Sequence, residues 1–385
     1  MTRIRVAKLA CLIFLLPTLG VASNLQDHPA IVVAYVFPQK GVLQPDQVDP
    51  HGVDRINYAF ANIVDGRMVE GFQNDAANFE ELNALKRENP SLEVLVSVGG
   101  WTWSNHFSDV SLTAQSRKVF IQSVMDFIAK YDLDGLDVDW EYPGQAGAGN
   151  VFRSQDKKNY TLLLKELRQS FDRRSRTTHK HLFLTIAAGT DNEFLTHTQM
   201  GKVQRYVDAV NLMCYDYYEP GSDAITGNHA PLYANPADPK RASSDASVRA
   251  FEAAGVPTSK IILGVPFYGH MWGQVANVSH GLFQPGKPVP NGYAPYTAIS
   301  GSMLNHGFIR YWDAAANVPY LYNETGKIFV SYEDPESLAI KCNYVLKNKL
   351  GGVMFWSYLN DTSGALLGAI DRGLRGPSNT HAGSQ

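Results

Sequence analysis

Four acidic residues crowd into the stretch LDGLDVDWEYPG, residues 133–144. They are Asp134, Asp137, Asp139 and Glu141, and apolar residues separate the last three from one another. Successive side chains of a β-strand point to opposite faces. The last three acids therefore share one face of a predicted strand, while Asp134 has the opposite parity and is expected to be a structural acid at the strand entrance.

Three carboxyl groups on one buried face cannot all ionise freely, so their pKa values are expected to separate. The last of them, Glu141, can then keep its proton at neutral pH and serve as a general acid. Two alternatives remain open, a solvated acidic strand end and a site for a hard metal ion. The apolar neighbours argue against the first, and the lack of nearby histidines argues against the second.

The acidic strand is one of several runs rich in β-branched residues. Eight such runs are predicted as strands: residues 31–37, 55–63, 93–100, 133–141, 181–189, 207–216, 261–269 and 351–358. Amphipathic stretches with apolar residues every three to four positions lie between them. This alternation predicts an α/β fold, a (β/α)8 TIM barrel. An open doubly wound sheet is the alternative, weakened because no glycine-rich phosphate loop follows an early strand.

One connection departs from this alternation. Residues 270–332, between the predicted seventh and eighth strands, are rich in Gly, Pro, Asn and Tyr and contain short strand-like pieces. This predicts a small α+β insertion within a barrel that spans residues 28–375. Residues 376–385 are expected to form a flexible tail.

The N-terminus has the composition of a secretory signal peptide over residues 1–23. Three basic residues precede a short apolar run and then small residues. A membrane anchor is the alternative, but the run is shorter than the roughly 20 residues that a span needs. Removing the segment would leave a net charge of −6, which disfavours nucleic acid as a partner. The mature chain is expected to be secreted, free of the membrane and monomeric.

Two cysteines, Cys214 and Cys342, remain after the predicted signal peptide. Each lies in an apolar context, so two buried free thiols are favoured over a disulfide. The cysteines and histidines show no metal-binding spacing, and neither a metal nor a cofactor is expected.

Several motifs now resemble those of glycoside hydrolase family 18, the chitinases. DGLDVDWE matches the DxxDxDxE signature, SVGG at 97–100 matches SxGG, and MCYD at 213–216 matches MxYD. GVPFYG and GGVMFWSY resemble the seventh and eighth strands of that family. The resemblance extends from Ile31 to about Leu374.

The resemblance implies a chemistry in which the substrate supplies the nucleophile. Enzymes similar to this chain are exceptions to the two-carboxylate scheme, because the acetamido oxygen of the −1 sugar attacks its own anomeric carbon. By match, Glu141 would protonate the glycosidic oxygen and later activate water. Asp139 would orient the acetamide, with Asp137 below it sharing a proton. Tyr215 would donate to the acetamide oxygen, and Asp216 would bind nearby polar groups of the sugar.

The same resemblance adds apolar contacts to the expected site. Trp356 is similar to the family's floor residue under the −1 sugar, and Met213 and Tyr268 belong to motifs at the substrate site. Further substrate contacts are expected from four aromatic residues, with packing as the alternative: Tyr35, Phe60, Trp101 and Tyr142. For three other tryptophans, packing and sugar binding are equally open: Trp103, Trp272 and Trp312.

Two positions depart from the family pattern. His270 stands where the family often has Arg, and Ser222 stands where it often has Trp, so the binding of the leaving group is expected to differ. The expected partner is chitin or chitooligosaccharides. The alternatives are a chitin-binding lectin on the same barrel and a hydrolase of another acetamido glycan. Glu141, which is replaced in some binding relatives, favours the enzyme. Exo and endo action both remain open.

Overall fold

The computed structural model describes residues 29–376. The predicted signal peptide and residues 377–385 of the predicted tail lie outside this range. The strands of the described part are β1 Ile31–Val36, β2 Arg55–Val64, β3 Arg67–Val69, β4 Glu93–Gly99, β5 Gly135–Asp139, β6 Phe183–Ala188, β7 Ala209–Leu212, β8 Ile261–Pro266, β9 Tyr268–Gly273, β10 Lys287–Pro295, β11 Ile309–Asp313, β12 Val318–Asn323, β13 Ile328–Ser331 and β14 Gly352–Trp356.

The helices lie mainly between these strands. Their bounds are α1 Asp75–Ala84, α2 Phe107–Leu112, α3 Ala114–Lys130, α4 Asp156–Thr178, α5 Asn192–Thr196, α6 Met200–Val203, α7 Ser244–Ala253, α8 Tyr296–Ala298, α9 Pro335–Lys347 and α10 Ala365–Arg375.

Eight parallel strands close into a barrel. Their order is β1-β14-β8-β7-β6-β5-β4-β2, and pairing of β1 with β2 completes the circle. The closed circle confirms the predicted (β/α)8 fold over the open sheet. In such a barrel the residues at the carboxyl ends of the strands form one mouth.

Local sequence explains how the surrounding helices begin and pack. Helix α3 starts at a capping box in which Thr113 and Ser116 satisfy each other's backbone N–H groups. Helix α4 buries Leu163, Leu167 and Phe171 along one face. The three residues recur every four positions, so this face packs toward the barrel.

The predicted strands extend too far at their C-terminal ends. Strand β5 ends at Asp139 rather than at residue 141, and β7 ends at Leu212 rather than at residue 216. The predicted seventh strand is two elements, because β8 ends at Pro266 and Tyr268 opens β9 of another sheet. The motif residues are apolar and aromatic enough to continue a strand pattern, yet they form the mouth of the barrel.

A second sheet lies between β8 and β14 in the sequence. Its order is β10-β9-β13-β12-β11, and all of its pairings are antiparallel. Trp272 and Phe329 are fully buried in its own apolar cluster. The sheet starts directly from the barrel mouth, so it stands beside the carboxyl ends of the strands.

Two further observations concern the cysteines and the helices. Cys214 and Cys342 are buried free thiols, as predicted. Within residues 29–376, no helix combines the length and the apolar character needed to cross a bilayer.

Candidate active site

The carboxylate of Asp137 lies fully buried inside the barrel and accepts four hydrogen bonds. Oδ2 accepts from Tyr35 at 2.8 Å and from Ser97 at 2.9 Å. Oδ1 accepts from Thr185 at 2.5 Å and from Asn211 at 3.1 Å. Burial raises the pKa of Asp137, and these hydrogen bonds oppose that rise. A proton shared with Asp139 would require one of the four donors to turn away.

Strand register explains why these donors converge. Ser97 of β4 pairs with Asp137 of β5, which pairs in turn with Thr185 of β6. Three polar side chains therefore lie in one row across the barrel interior. Asn211 of β7 reaches both Asp137 and the hydroxyl of Tyr35, at 3.2 Å from the latter.

Asp139, at the end of β5, lies above this row and is nearly as buried, with 4% exposed. Its Oδ1 is buried and has no hydrogen-bond partner among the described residues. Burial raises the pKa of Asp139 well above its usual range, and the charges of Glu141 and Asp137 add to the shift. The carboxyl group can therefore receive a donor from a ligand in the mouth.

Glu141 follows two residues after the strand ends and is 8% exposed. Burial raises its pKa to about 7, and the charges of Asp216 and Glu219 act in the same direction. Its backbone N–H donates to Ser104 Oγ at 2.9 Å, and that hydroxyl also lies 3.1 Å from the carbonyl oxygen of Asp139. A glutamic acid that titrates near neutrality suits general acid and base catalysis.

The SVGG motif brings the end of β4 against the end of β5. Gly99 and Gly100 have φ values of 107° and 74°, which favour glycine. A Cβ atom at Gly99 would lie 2.2 Å from the carbonyl oxygen of Asp139. The motif therefore positions the acidic strand by close backbone approach.

A second apolar cluster fills the barrel interior beside the acids. Tyr35 and Phe60 are among its buried members, and Met213, Tyr215 and Trp356 pack against it. The Trp356 ring stacks on Phe60 with centroids 5.5 Å apart and lies 5.8 Å from the Tyr35 ring. The structure thus brings together five of the predicted site residues from three barrel strands and the segment after β7.

The phenol of Tyr215 lies beside the carboxyl groups. Burial raises its pKa well above the usual range, and the charges of Asp216, Asp139 and Glu141 reinforce the shift. Tyr215 therefore keeps its proton at neutral pH and can donate a hydrogen bond.

Asp216 has a different set of neighbours. Its Oδ1 accepts from Tyr268 at 2.5 Å and from His270 Nε2 at 2.8 Å, and His229 Nδ1 lies 3.6 Å away. Its side chain remains 36% exposed, toward the mouth. Desolvation would raise the pKa of Asp216, but the two imidazoles outweigh it and hold the pKa below the usual range. Asp216 is thus an anion anchored by the second sheet.

The other aromatic residues separate into exposed and buried groups. Trp101 is 53% exposed, and its ring centroid lies 6.4 Å from that of the half-buried Tyr142. Trp103 packs against Phe72 with ring centroids 4.8 Å apart. Trp272 is fully buried in the second sheet, which favours packing over sugar binding for this residue.

Trp312 lies on strand β11 of the second sheet, distant in sequence from the acidic motif. It is partly buried, and the Arg310 guanidinium lies 5.1 Å from its ring centroid. Ser222 is exposed in the segment after β7, so the position where the family often has Trp presents only a small hydroxyl.

Several residues of the site were not predicted. Thr185 and Asn211 are polar residues on the inward faces of strands that are otherwise apolar. Their inward position, which follows from strand alternation, was the sequence signal that could have identified them. Phe37 lies 5.3 Å from the Trp356 ring and 5.7 Å from the Phe60 ring, so the three rings form one group. His229 had no signal, because it lies in a long irregular segment that only tertiary packing brings to Asp216.

Comparisons with known proteins identify the family of this chain. Residues 31–361 match the model of the glycosyl hydrolases family 18. Chitinase A1 of Niallia circulans is 41% identical over 314 residues, which are 78% of this chain and 45% of that relative. This chain therefore spans less than half the length of that protein.

Two solved structures are also similar. A family 18 N-acetylglucosaminidase from Paenibacillus barengoltzii is 40% identical, with a TM-score of 0.83 over 90% of this chain and 100% of that one. A class V chitinase mutant from Nicotiana tobaccum, solved in complex with NAG4, is 26% identical, with a TM-score of 0.81 over 90% of this chain and 99% of that one. On the match over residues 31–361, this chain belongs to glycosyl hydrolase family 18.

Proposed function

We propose that this protein is a secreted chitinase that hydrolyses β-1,4-linked N-acetylglucosamine polymers and oligomers with retention of configuration. The observation that carries the proposal is Glu141, a buried carboxyl group with a pKa raised to about 7, next to the buried carboxyl group of Asp139. Glu141 can hold a proton for the glycosidic oxygen while Asp139 faces the sugar.

In the first step Glu141 gives its proton to the glycosidic oxygen as the bond to the anomeric carbon breaks. The acetamido oxygen of the same sugar attacks that carbon and forms an oxazolinium ion. Among the residues that the structure describes, none bonds to the buried Oδ1 of Asp139, so this oxygen can accept the acetamide N–H and stabilise the positive charge.

The second step reverses the role of Glu141. Its carboxylate takes a proton from water, the hydroxide oxygen attacks the anomeric carbon, and the acetamide is restored. Two inversions give net retention. Asp137 is a poor candidate for a side-chain nucleophile, because both of its oxygens already accept two hydrogen bonds each.

The remaining site residues are proposed to hold the sugar. Trp356 offers a flat ring for the C–H face of a pyranose, and Tyr215 can donate to the acetamide oxygen. Asp216 presents an exposed carboxylate to polar groups of the sugar. Trp101 is proposed to contact a unit on the side of the leaving group.

Three finer parts of the proposal rest on the sequence. Export rests on the basic, apolar and small residues of positions 1–23, and the same reading gives a product free of the membrane. Catalysis rather than lectin-like binding rests on the presence of Glu141, Asp139 and Tyr215 together. A monomer is proposed for the mature chain.

A second candidate activity is the release of single N-acetylglucosamine units from chain ends. It is favoured by one observation, the 40% identity over the whole length of the N-acetylglucosaminidase from P. barengoltzii. The two candidates share the same chemistry and differ in how many sugars the mouth holds on each side of the cleaved bond.

Product analysis on reducing-end-labelled chitohexaose tests both candidates. We expect early cleavage with β-anomeric products. Internal cuts that give dimers to tetramers support the chitinase, and early monomer with labelled or unlabelled pentamer supports the exo activity. Binding without any cleavage would contradict both and would favour the lectin.

A further inference from the structure

Two histidine side chains, those of His229 and His270, lie beside the carboxylate of Asp216. His229 comes from the segment after β7, and His270 comes from strand β9 of the second sheet. One ligand atom from each residue lies within 4.8 Å of the others. Two imidazoles and a carboxylate converge here from separate elements, although the sequence shows no metal-binding spacing.

His229 supplies an independent observation. It is fully buried, yet neither of its ring nitrogens has a hydrogen-bond partner among the described residues. A buried polar group without a hydrogen-bond partner destabilises the folded protein. Its Nδ1 is directed at Asp216 from 3.6 Å, and its backbone is anchored by an N–H bond to Ser331 Oγ at 2.8 Å.

The distances suit a small divalent ion. A tetrahedral ion with bonds of 2.0–2.2 Å keeps its ligand atoms about 3.3–3.6 Å apart. Asp216 Oδ1 lies 2.8 Å from His270 Nε2 and 3.6 Å from His229 Nδ1. Shifts of a few tenths of an ångström would place these atoms around one ion. The partly exposed side of Asp216 offers an entry path and a position for water.

The surroundings supply the orientation and charge that such a site needs. The Tyr268 hydroxyl donates to Asp216 and would hold the carboxylate as an outer partner. The charge of the buried Lys341 acts on His229, and the salt bridge of Lys341 to Glu333 compensates that charge. Imidazole and carboxylate ligands suit zinc, nickel and copper better than calcium or magnesium.

We propose that Asp216, His229 and His270 bind one divalent transition-metal ion of the zinc, nickel or copper class. The ion is not part of the acid chemistry, because it lies at Asp216 and not at the acids of β5. Its binding would occupy the carboxylate proposed to hold sugar. The ion therefore acts as an inhibitor, a consequence that rests on the proposed function, whereas binding itself does not.

Binding is tested without substrate on the full chain after dialysis against a chelator. Calorimetric titration with ZnCl2 should give one site per chain. Titration with CoCl2 should give the visible absorption bands of nitrogen-ligated Co2+. Absence of saturable Zn2+ binding up to millimolar concentration, or of these bands, would overturn the proposal.

Two variants and one control locate the site. His270→Arg keeps hydrogen-bond donors for Asp216 but has no lone pair for a metal, and His229→Asn removes the other imidazole. Each should weaken Zn2+ binding by at least about tenfold, since even outer-shell changes cost 10–100-fold. The control His181→Asn alters an exposed imidazole 3.1 Å from Asp208. The described part of the chain offers this pair no third ligand, so the control should bind Zn2+ like wild type.

Thermal unfolding of each metal-free variant establishes that it is folded. Equal Zn2+ affinity in all four proteins would refute the assignment. If His229→Asn fails to fold, the His270→Arg variant and the Co2+ spectrum of the wild type still decide. Zn2+ should also inhibit hydrolysis at the concentration at which it binds. Binding without inhibition would keep the metal site and would contradict only the sugar-binding role of Asp216.

Discussion

Asp137 and Glu141 come from the same short stretch and are both buried, yet their surroundings differ. Asp137 lies within the barrel and accepts hydrogen bonds from four side chains. Glu141 lies past the end of β5, and burial raises its pKa to about 7. Burial alone therefore does not decide which acid holds a proton. Four hydrogen-bond donors oppose the rise in the pKa of Asp137, whereas the charges of Asp216 and Glu219 add to the rise at Glu141, which can exchange a proton near neutral pH.

The largest effect is expected when Glu141 is replaced. Glu141→Gln should lower kcat by about 10² to 10⁴-fold, because an amide cannot supply the proton. The fold and the binding of chitooligosaccharides should persist, as measured by thermal unfolding and calorimetry. The control is Asp134→Asn, since Asp134 lies at the other end of the stretch and accepts from the Val94 N–H. Near wild-type turnover in Glu141→Gln would refute the assignment.

A smaller effect is expected at the phenol beside the two acids. Tyr215→Phe removes one hydrogen-bond donor to a charged intermediate, worth about 1.5–3 kcal/mol, so kcat should fall about 10 to 100-fold. The stability should change little, because the ring remains in its apolar cluster. A variant that loses only substrate affinity, with kcat intact, would place Tyr215 in ground-state binding.

The role of Asp137 is tested by removing one of its four hydrogen-bond donors, Thr185. Thr185→Val is nearly isosteric and removes the 2.5 Å hydrogen bond to Asp137. With three donors left, kcat should fall by several-fold to about tenfold. The control is Thr161→Val on α4, whose hydroxyl bonds to Lys157 and Gln199 outside the barrel. Unchanged kinetics in Thr185→Val would mean that the four-donor arrangement does not support the acids above it.

The pH profile gives the smallest but most specific effect. Because Glu141 must carry a proton to act as an acid, kcat/KM should fall as pH rises above about 7. The same raised pKa means that the proton on Glu141 stabilises the fold. Unfolding free energy should therefore fall as pH rises from about 4.5 to about 7, and Glu141→Gln should flatten this part of the curve. If kcat/KM of the wild type already fell with rising pH at a midpoint below pH 5, the raised pKa of Glu141 would be contradicted.

Sequence pattern was sufficient for the barrel and for the order of the acids. Strand parity placed Asp137 and Asp139 on the inward face, and the start of most strands was predicted within two residues. The strand ends could not be predicted, because residues 213–216 continue an apolar pattern while they turn into the mouth. The donors to Asp137 depend on register between strands, and a single sequence does not specify that register.

The environment of Asp216 was the least predictable part of the site. His270 was noted only as a departure from the family pattern, and His229 was not singled out. The two residues meet because the second sheet folds back against the segment after β7, so they are 41 positions apart in sequence. Local periodicity carries no information about such a contact.

The central claim is that the substrate brings its own attacking oxygen, since no acid side chain is assigned as nucleophile. Mass spectrometry of the products from partly acetylated chitosan tests it most directly. Every new reducing end should carry an N-acetylated unit, and fully deacetylated chitosan should bind without being cleaved. New reducing ends with free amines as a major product would contradict substrate assistance and would indicate a carboxylate nucleophile or direct attack by water.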